Sequence, residues 1–347
     1  MKTFRRTLPF LSLALAVSAH AQSSVTLYGD MDLGIQYLTH AGSGGGKTIG
    51  LQSGNEQPSR FGITGTEDLG GGYAAVFRLE SGFNLGTGGY TIPGTPFDRY
   101  AYVGLSSNNL GTLTLGRQRS ILFEQSLFYD PTYLAEYSSE STNYIPVSSF
   151  NQNNSVKWTS PVYGGFSSVL MYGFGQQLAG NATAGRFTSG ALIYENNSFG
   201  AHVVYEQSRG SVATGADLSS QVDRRVNGAI RYAIGAATVY GGYTHISGDL
   251  HLSPAGYTYY GGLQYRLSPA LALVGEAAHY HTSDNEGQPT WFIAGATYSL
   301  SKRTSIYAYG GILKNHGGTS FTLNTYDFNS PGGFDQTGMM IGLNQLF

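Results

Sequence analysis

Two groups of ionisable residues in this 347-residue chain are suited to electrostatic rather than covalent chemistry. One is basic: Arg60, Arg78, Arg117, Arg119 and Lys157. The other is acidic: Glu124, Asp130, Glu136 and Glu140, all within Arg119–Gln152, a segment with no lysine or arginine after Arg119. Opposed charges across a narrow, water-filled waist create a transverse field that sorts solutes by charge. That chemistry needs a wall to carry the bases and a loop to carry the acids.

The segment Arg119–Gln152 has the character of such a loop. It is too long for an ordinary connection in a compact fold, and it breaks the strand alternation on either side, GTLTLGRQ (Gly111–Gln118) and NNSVKWTS (Asn153–Ser160). Its aromatics, among them Phe123, Phe128, Tyr129, Tyr133, Tyr137 and Phe150, set it apart from a solvated linker. We read it as folded into the lumen of a membrane β-barrel.

The wall is legible as period-two patterning. In Val25–Tyr37, Val25, Leu27, Met31, Leu33 and Ile35 share one face while Thr26, Tyr28, Asp30, Asp32 and Gln36 share the other, which a helix cannot produce. After a glycine-rich loop (Ala41–Gln57), similar segments are expected near Arg60–Thr66, Tyr73–Phe83, Asp98–Leu105, Gly111–Gln118, Asn153–Ser160, Phe166–Gly175, Phe187–Glu195 and Phe199–Ser208. The rest lie near Arg224–Ala233, Ala236–His245, Tyr257–Leu267, Leu271–His281, Thr290–Leu300, Thr304–Lys314 and Thr337–Phe347. The fold class is all-β: an antiparallel transmembrane barrel of about sixteen strands, an even number as single-chain bacterial barrels have. Arg60, Arg78 and Lys157 point inward by parity; Arg119 stands at the mouth of the long loop. Arg117 shares a face with Leu113 and Leu115 and reaches the lumen only if a bulge near Gly116 reverses the alternation. Arg225, Arg231, Arg266 and Glu276 also face inward and tune the potential along the channel.

Composition agrees. Charged residues are 12% of the chain, against about 25% in typical soluble domains, and there are 50 Gly, 26 Tyr and 18 Phe. Lys2, Arg5 and Arg6, the apolar run Leu8–Val17 and Ala19-His20-Ala21 make residues 1–21 a cleavable signal peptide, leaving 22–347 as one barrel domain. Removing those three bases and no acid takes the net charge from −2 to −5, which argues against a nucleic-acid partner. No run after the signal is long and apolar enough for a membrane-spanning helix. With no cysteine there is no disulfide or thiolate metal site, and neither a cofactor nor a metal is expected.

Ala41–Thr48 (AGSGGGKT) approaches a phosphate-binding loop, but no helical pattern follows Lys47. The eight histidines make no ligand set, and His245 with Ser247 lacks a nucleophile motif, so we expect no enzyme. An adhesin barrel would carry a large passenger, whereas alternation here begins a few residues after the cleavage site.

The chain resembles the trimeric general porins of β-proteobacteria, the neisserial type. The resemblance rests on Ser23–Ile35, Ser59–Gly88, Arg99–Gln118, Asn153–Gly175 and the terminal Phe347. It implies a sixteen-stranded homotrimeric barrel in the outer membrane of a Gram-negative bacterium, in contact with its lipid. It also implies a third outer loop folded inward as an eyelet, passive diffusion of small hydrophilic solutes and ions, and a lean towards anions. The chain departs from the family at IGLNQLF (Ile341–Phe347), where Asn344 and Gln345 stand in place of a basic pair and His.

Overall fold

The computed structural model describes residues 23–140, 149–283, 287–316, 319–324 and 333–347; the proposed signal, 1–21, lies outside them. The first strands are β1 (Ser24–Ala41), β2 (Gly46–Ser53), β3 (Arg60–Gly70), β4 (Tyr73–Gly82), β5 (Tyr100–Ser107) and β6 (Gly111–Arg119). Helix α1 (Ile121–Tyr129) follows, then β7 (Asn151–Thr159), β8 (Phe166–Gly173), β9 (Phe187–Glu195) and β10 (Phe199–Arg209). After a small hairpin, β11 (Val212–Ala213) and β12 (Ala216–Asp217), come β13 (Val222–Ile234), β14 (Ala237–Gly248), β15 (Gly256–Arg266) and β16 (Leu271–Thr282). The last three are β17 (Thr290–Ser299), β18 (Thr304–Lys314) and β19 (Gln336–Leu346).

The barrel strands pair antiparallel with their neighbours in the wall, and β19 returns to β1, so the sheet closes on itself. β2 and β3 both lie along β1, β2 against Leu33–Ala41 and β3 against Ser24–Asp30, and together occupy one position in the wall. The wall therefore has sixteen positions. The stretch Ala41–Gln57 is not all loop: Lys47 and Thr48 sit in β2, opposite β1, and no helix follows them.

Closure at the C-terminus tolerates the atypical ending. Asn344 and Gln345 pair with Asp32 and Met31, and the Phe347 and Gly29 backbones exchange two hydrogen bonds of 3.1 Å. Asn344 donates Nδ2–H to Asp30 (2.6 Å) and Asp32 (3.4 Å), two inward carboxylates. At that end of the barrel turns are short. The β13–β14 turn uses only Gly235 and Ala236, with Gly235 at φ 59°, the left-handed conformation tight hairpins demand.

Outward positions are apolar and exposed, as with Leu27, Ile35, Leu192, Ile230 and Ile341. Buried apolar side chains lie inside, between the wall and segments folded into the barrel. Ile121 and Leu122 of α1 pack with Val169, Met171, Phe187, Ala191 and Val204 of β8–β10. Tyr137 packs with Tyr309, Leu313, Leu323 and Met340.

Glycines in the wall let the inner segment lie flat. A β-carbon at Gly262 would fall 2.4 Å from Pro131 Cγ, and one at Gly338 2.7 Å from the Tyr137 ring. Gly262→Leu should push Pro131 towards the lumen and lower unitary conductance in planar bilayers. An unheated gel would check that the barrel still folds, and unchanged conductance would contradict the flat docking.

Candidate functional site

The lumen is crossed by the segment that leaves β6 at Arg119. Ser120 caps α1, its hydroxyl accepting the Phe123 N–H (3.3 Å). The helix ends at Asp130, whose N–H donates to the Ser126 carbonyl (2.9 Å). Beyond it Tyr133 and Leu134 both adopt left-handed backbones (φ 56° and 63°), a costly pair for bulky residues, typical of functional sites. The surroundings hold that tip. Gln57 Nε2 donates to the Tyr133 carbonyl (2.8 Å), Glu136 N–H to the Asn55 carbonyl (2.7 Å), and Tyr260 OH to the Tyr129 carbonyl (2.9 Å). Asp32 steadies residues 55–57 in turn, accepting their three backbone N–H groups and the Tyr307 hydroxyl.

The acids of the segment mostly turn away from the lumen. Asp130 is fully buried and accepts from Thr132 N–H (2.6 Å), Leu134 N–H (3.2 Å) and the Ser138 hydroxyl. Glu140 is buried beside it; its N–H donates to Ser138 Oγ (3.0 Å) and Ser126 Oγ reaches its carboxyl at 3.4 Å. Glu276, from β16, completes the group and accepts both the N–H (3.1 Å) and hydroxyl (2.7 Å) of Ser139. Glu136 is also buried. Only Glu124 reaches the basic wall, where it accepts from Lys157 Nζ (2.8 Å) and Tyr100 OH (3.1 Å). The negative face expected opposite the bases is therefore absent at Asp130, Glu136 and Glu140: stabilising the fold of the loop and docking it to the wall takes precedence. From Ser120 to Glu140 the exposed residues are Phe128 (54%) and Tyr133 (46%).

The basic wall centres on Glu80, which is 1% exposed. Its carboxylate accepts from Arg78, from Arg99 Nε (2.6 Å) and from Tyr28 OH (2.6 Å). Tyr28 lies over Gly62, where a β-carbon would meet its hydroxyl at 2.5 Å. One row further, Arg60 pairs with Asp30 (3.0 Å). The rings and guanidinium groups interleave: Arg78 sits 5.3 Å from the Tyr28 centroid and 4.0 Å from that of Tyr100, and Arg119 sits 4.6 Å from that of Phe123. Such stacking holds a cation in place with little bound water. Arg78 and Arg60 keep 30% and 21% of their side chains exposed, while Arg119 is buried and Lys157 is neutralised by Glu124.

At Glu80 two arginines, Arg78 and Arg99, meet one carboxylate, while Arg60 pairs with Asp30 and Lys157 with Glu124; Asp32 and Glu56 lie beyond Asp30, held by backbone N–H groups and the hydroxyls of Thr297, Tyr307 and Tyr309. Parity reasoning did not find Arg99, because it precedes β5, where alternation has not begun. Arg117 requires a correction. The β5–β6 pairing runs unbroken to Ala101 and Arg117, and the irregularity falls on β7, where Asn153 and Asn154 are skipped opposite it. Its side remains that of Leu113 and Leu115, with Nε donating to the Asp98 carbonyl (2.6 Å). Arg231 pairs with Glu195 (2.7 Å), which also accepts from Tyr129 OH (2.6 Å) at the end of α1.

The comparisons with known proteins agree on one class. A family model described as Gram-negative porin matches residues 10–318. An outer membrane porin protein of Bordetella pertussis is 30% identical, covering 88% of this chain and 92% of its own. Outer membrane porin protein 32 of Delftia acidovorans is 29% identical over 96% and 97% of the two chains. A solved anion-selective porin from Comamonas acidovorans superposes with a TM-score of 0.81 at 25% identity, over 94% of this chain and all of its own.

The buried carboxyls carry a pH dependence. Burial first, and the charge of Asp130 second, push Glu140 up to about 8, against the hydrogen bond from Ser126. A carboxyl raised in the docked state favours docking most below its ordinary range, and that contribution is lost as pH rises through about 8. Open-channel current noise should therefore rise from the ordinary carboxylate range up to about pH 8 and level off above it, with Glu140→Gln flattening the rise. Noise independent of pH in the unaltered protein would contradict the assignment.

Proposed function

Because this chain belongs to the Gram-negative porin family, its barrel being an outer-membrane channel of that class, we propose that it passes small hydrophilic solutes and ions passively, with a preference for anions. Filtering occurs where the segment after β6 narrows the lumen against the basic wall. The observation that carries this reading is the surplus of cations around Glu80 while Asp130, Glu136 and Glu140 turn behind the loop. The local field then outweighs the negative total of the mature chain. The similar Comamonas acidovorans structure is described as an anion-selective porin, which supports the same direction. The channel needs no catalytic group; residues 1–21 serve as a cleaved signal and 22–347 as one domain.

The working unit in this reading is a homotrimer. From β19 through β1–β6 the outward side chains are mostly aliphatic (Ile341, Ile35, Leu51, Val103, Leu105, Leu115), with Phe61 on β3 and Tyr73 on β4 the exposed aromatics, whereas on β8–β17 exposed Phe and Tyr recur more often. Aromatics anchor a barrel at lipid interfaces, so the arc poor in them suits a second copy of the chain. One solved barrel with this fold, OmpT of Vibrio cholerae (TM-score 0.69, 15% identity), is described as a trimer form.

A salt-gradient reversal potential tests the preference. A unit charge about 4 Å from an ion's path changes its energy by about 1 kcal/mol in water, which salt screens further. Arg78→Ala should therefore lower the chloride-to-potassium permeability ratio, by up to about fivefold in dilute salt. A pore that prefers potassium before any substitution contradicts the proposal.

A further inference from the structure

The carboxylates of the basic wall and of the inward segment are hidden or neutralised. Asp30, Asp32 and Glu80 are buried, as are Asp130, Glu136 and Glu140, and Glu124 is paired with Lys157. Glu56 differs from all of them. It lies in the short link between β2 and β3 and is half-buried. Its Oε1 accepts the hydroxyls of Thr297 (2.7 Å) and Tyr309 (3.2 Å), inward side chains of β17 and β18. Its Oε2 accepts from no described residue and is open to water. No described lysine or arginine forms an ion pair with it.

The residues on either side of Glu56 hold the tip of the inward segment. The Asn55 carbonyl accepts the Glu136 N–H (2.7 Å), and Gln57 Nε2 donates to the Tyr133 carbonyl (2.8 Å). Two residues on, the Pro58 carbonyl accepts from Arg60 Nη1 (2.9 Å), and Arg60 belongs to the basic wall. Glu56 is thus fixed where the tip meets the wall.

We propose that Glu56 is the negative pole of the constriction, so that ion preference is set by the wall arginines less this one carboxylate. The inference deepens the reading of the basic wall and inward segment as the filter, and rests on it. A carboxylate with one oxygen in water attracts passing cations and repels anions. The bonds to Oε1 fix where that charge sits, and no base cancels it at short range, as Lys157 does for Glu124.

The test uses the folded, full-length channel in planar bilayers, with chloride-to-potassium permeability ratios taken from reversal potentials. Burial, reinforced by Asp32 and Asp30 and opposed by the Thr297 and Tyr309 hydroxyls, raises the Glu56 carboxyl. Currents are therefore recorded well above the ordinary carboxylate range, at about pH 8. Glu56→Gln keeps the size and an acceptor oxygen for Thr297 and Tyr309 but loses the charge. It should raise the ratio by up to about fivefold in dilute salt, and the rise should shrink in concentrated salt. Glu56→Asp keeps the charge and should stay near the unaltered protein. Equal, salt-independent rises in both variants would mean that Glu56 only shapes the β2–β3 link, and would overturn the inference. An unchanged ratio in Glu56→Gln, in a pore where Arg78→Ala does lower it, overturns this inference alone. A ratio indifferent to both Arg78→Ala and Glu56→Gln overturns the filter reading as well.

Discussion

A sheet in hydrocarbon has no water to satisfy its backbone, so it must close on itself. The remaining features follow from that constraint. β19 returns to β1 and the Phe347 backbone pairs with Gly29, which closes the barrel. Sixteen wall positions enclose more space than inward side chains can fill. The chain fills part of it with its own segment after β6. Apolar packing of Ile121, Leu122 and Tyr137 against the wall holds that segment, together with hydrogen bonds to the wall and to Asn55 and Gln57.

The same need explains where charge sits. A segment lying on a wall must hydrogen-bond its polar groups against that wall, and Asp130, Glu140 and Glu276 meet the backbone and hydroxyl groups of 132–139 there. The exposed residues between Ser120 and Glu140 are both aromatic, Phe128 and Tyr133. Across from them Glu80 draws two arginines and a tyrosine into one cluster, and aromatic faces between the guanidinium groups hold like charges close together. Cations held this close together set the local field on that side of the lumen.

Much of the wall was legible in the sequence because a half-buried strand must alternate. Phe187–Glu195 and Thr304–Lys314 coincide with the strands as read, and the others differ only at their ends. β2 was not legible: GKTIGLQS lies within a glycine-rich stretch and pairs only with the outer part of β1. Arg60, Arg78 and Lys157 were placed by parity, which works within a strand. It failed for Arg99, one residue before a strand, and the bulge invoked for Arg117 lies on the partner strand instead. The orientation of Asp130, Glu136 and Glu140 was beyond any periodicity argument. It depends on which wall residues the segment meets, and those lie more than a hundred residues away in sequence, as Gly262 and Glu276 do.

The most direct measurement of this arrangement exploits the absence of cysteine from the chain. Single cysteines at 128, 133, 136 and 140 would be treated, in the folded channel, with a small charged thiol reagent while current is recorded. The account predicts rapid modification with a drop in current at 128 and 133, and protection at 136 and 140. Rapid modification at 136 and 140 with protection at 128 and 133 would contradict it, because the acids would then face the water.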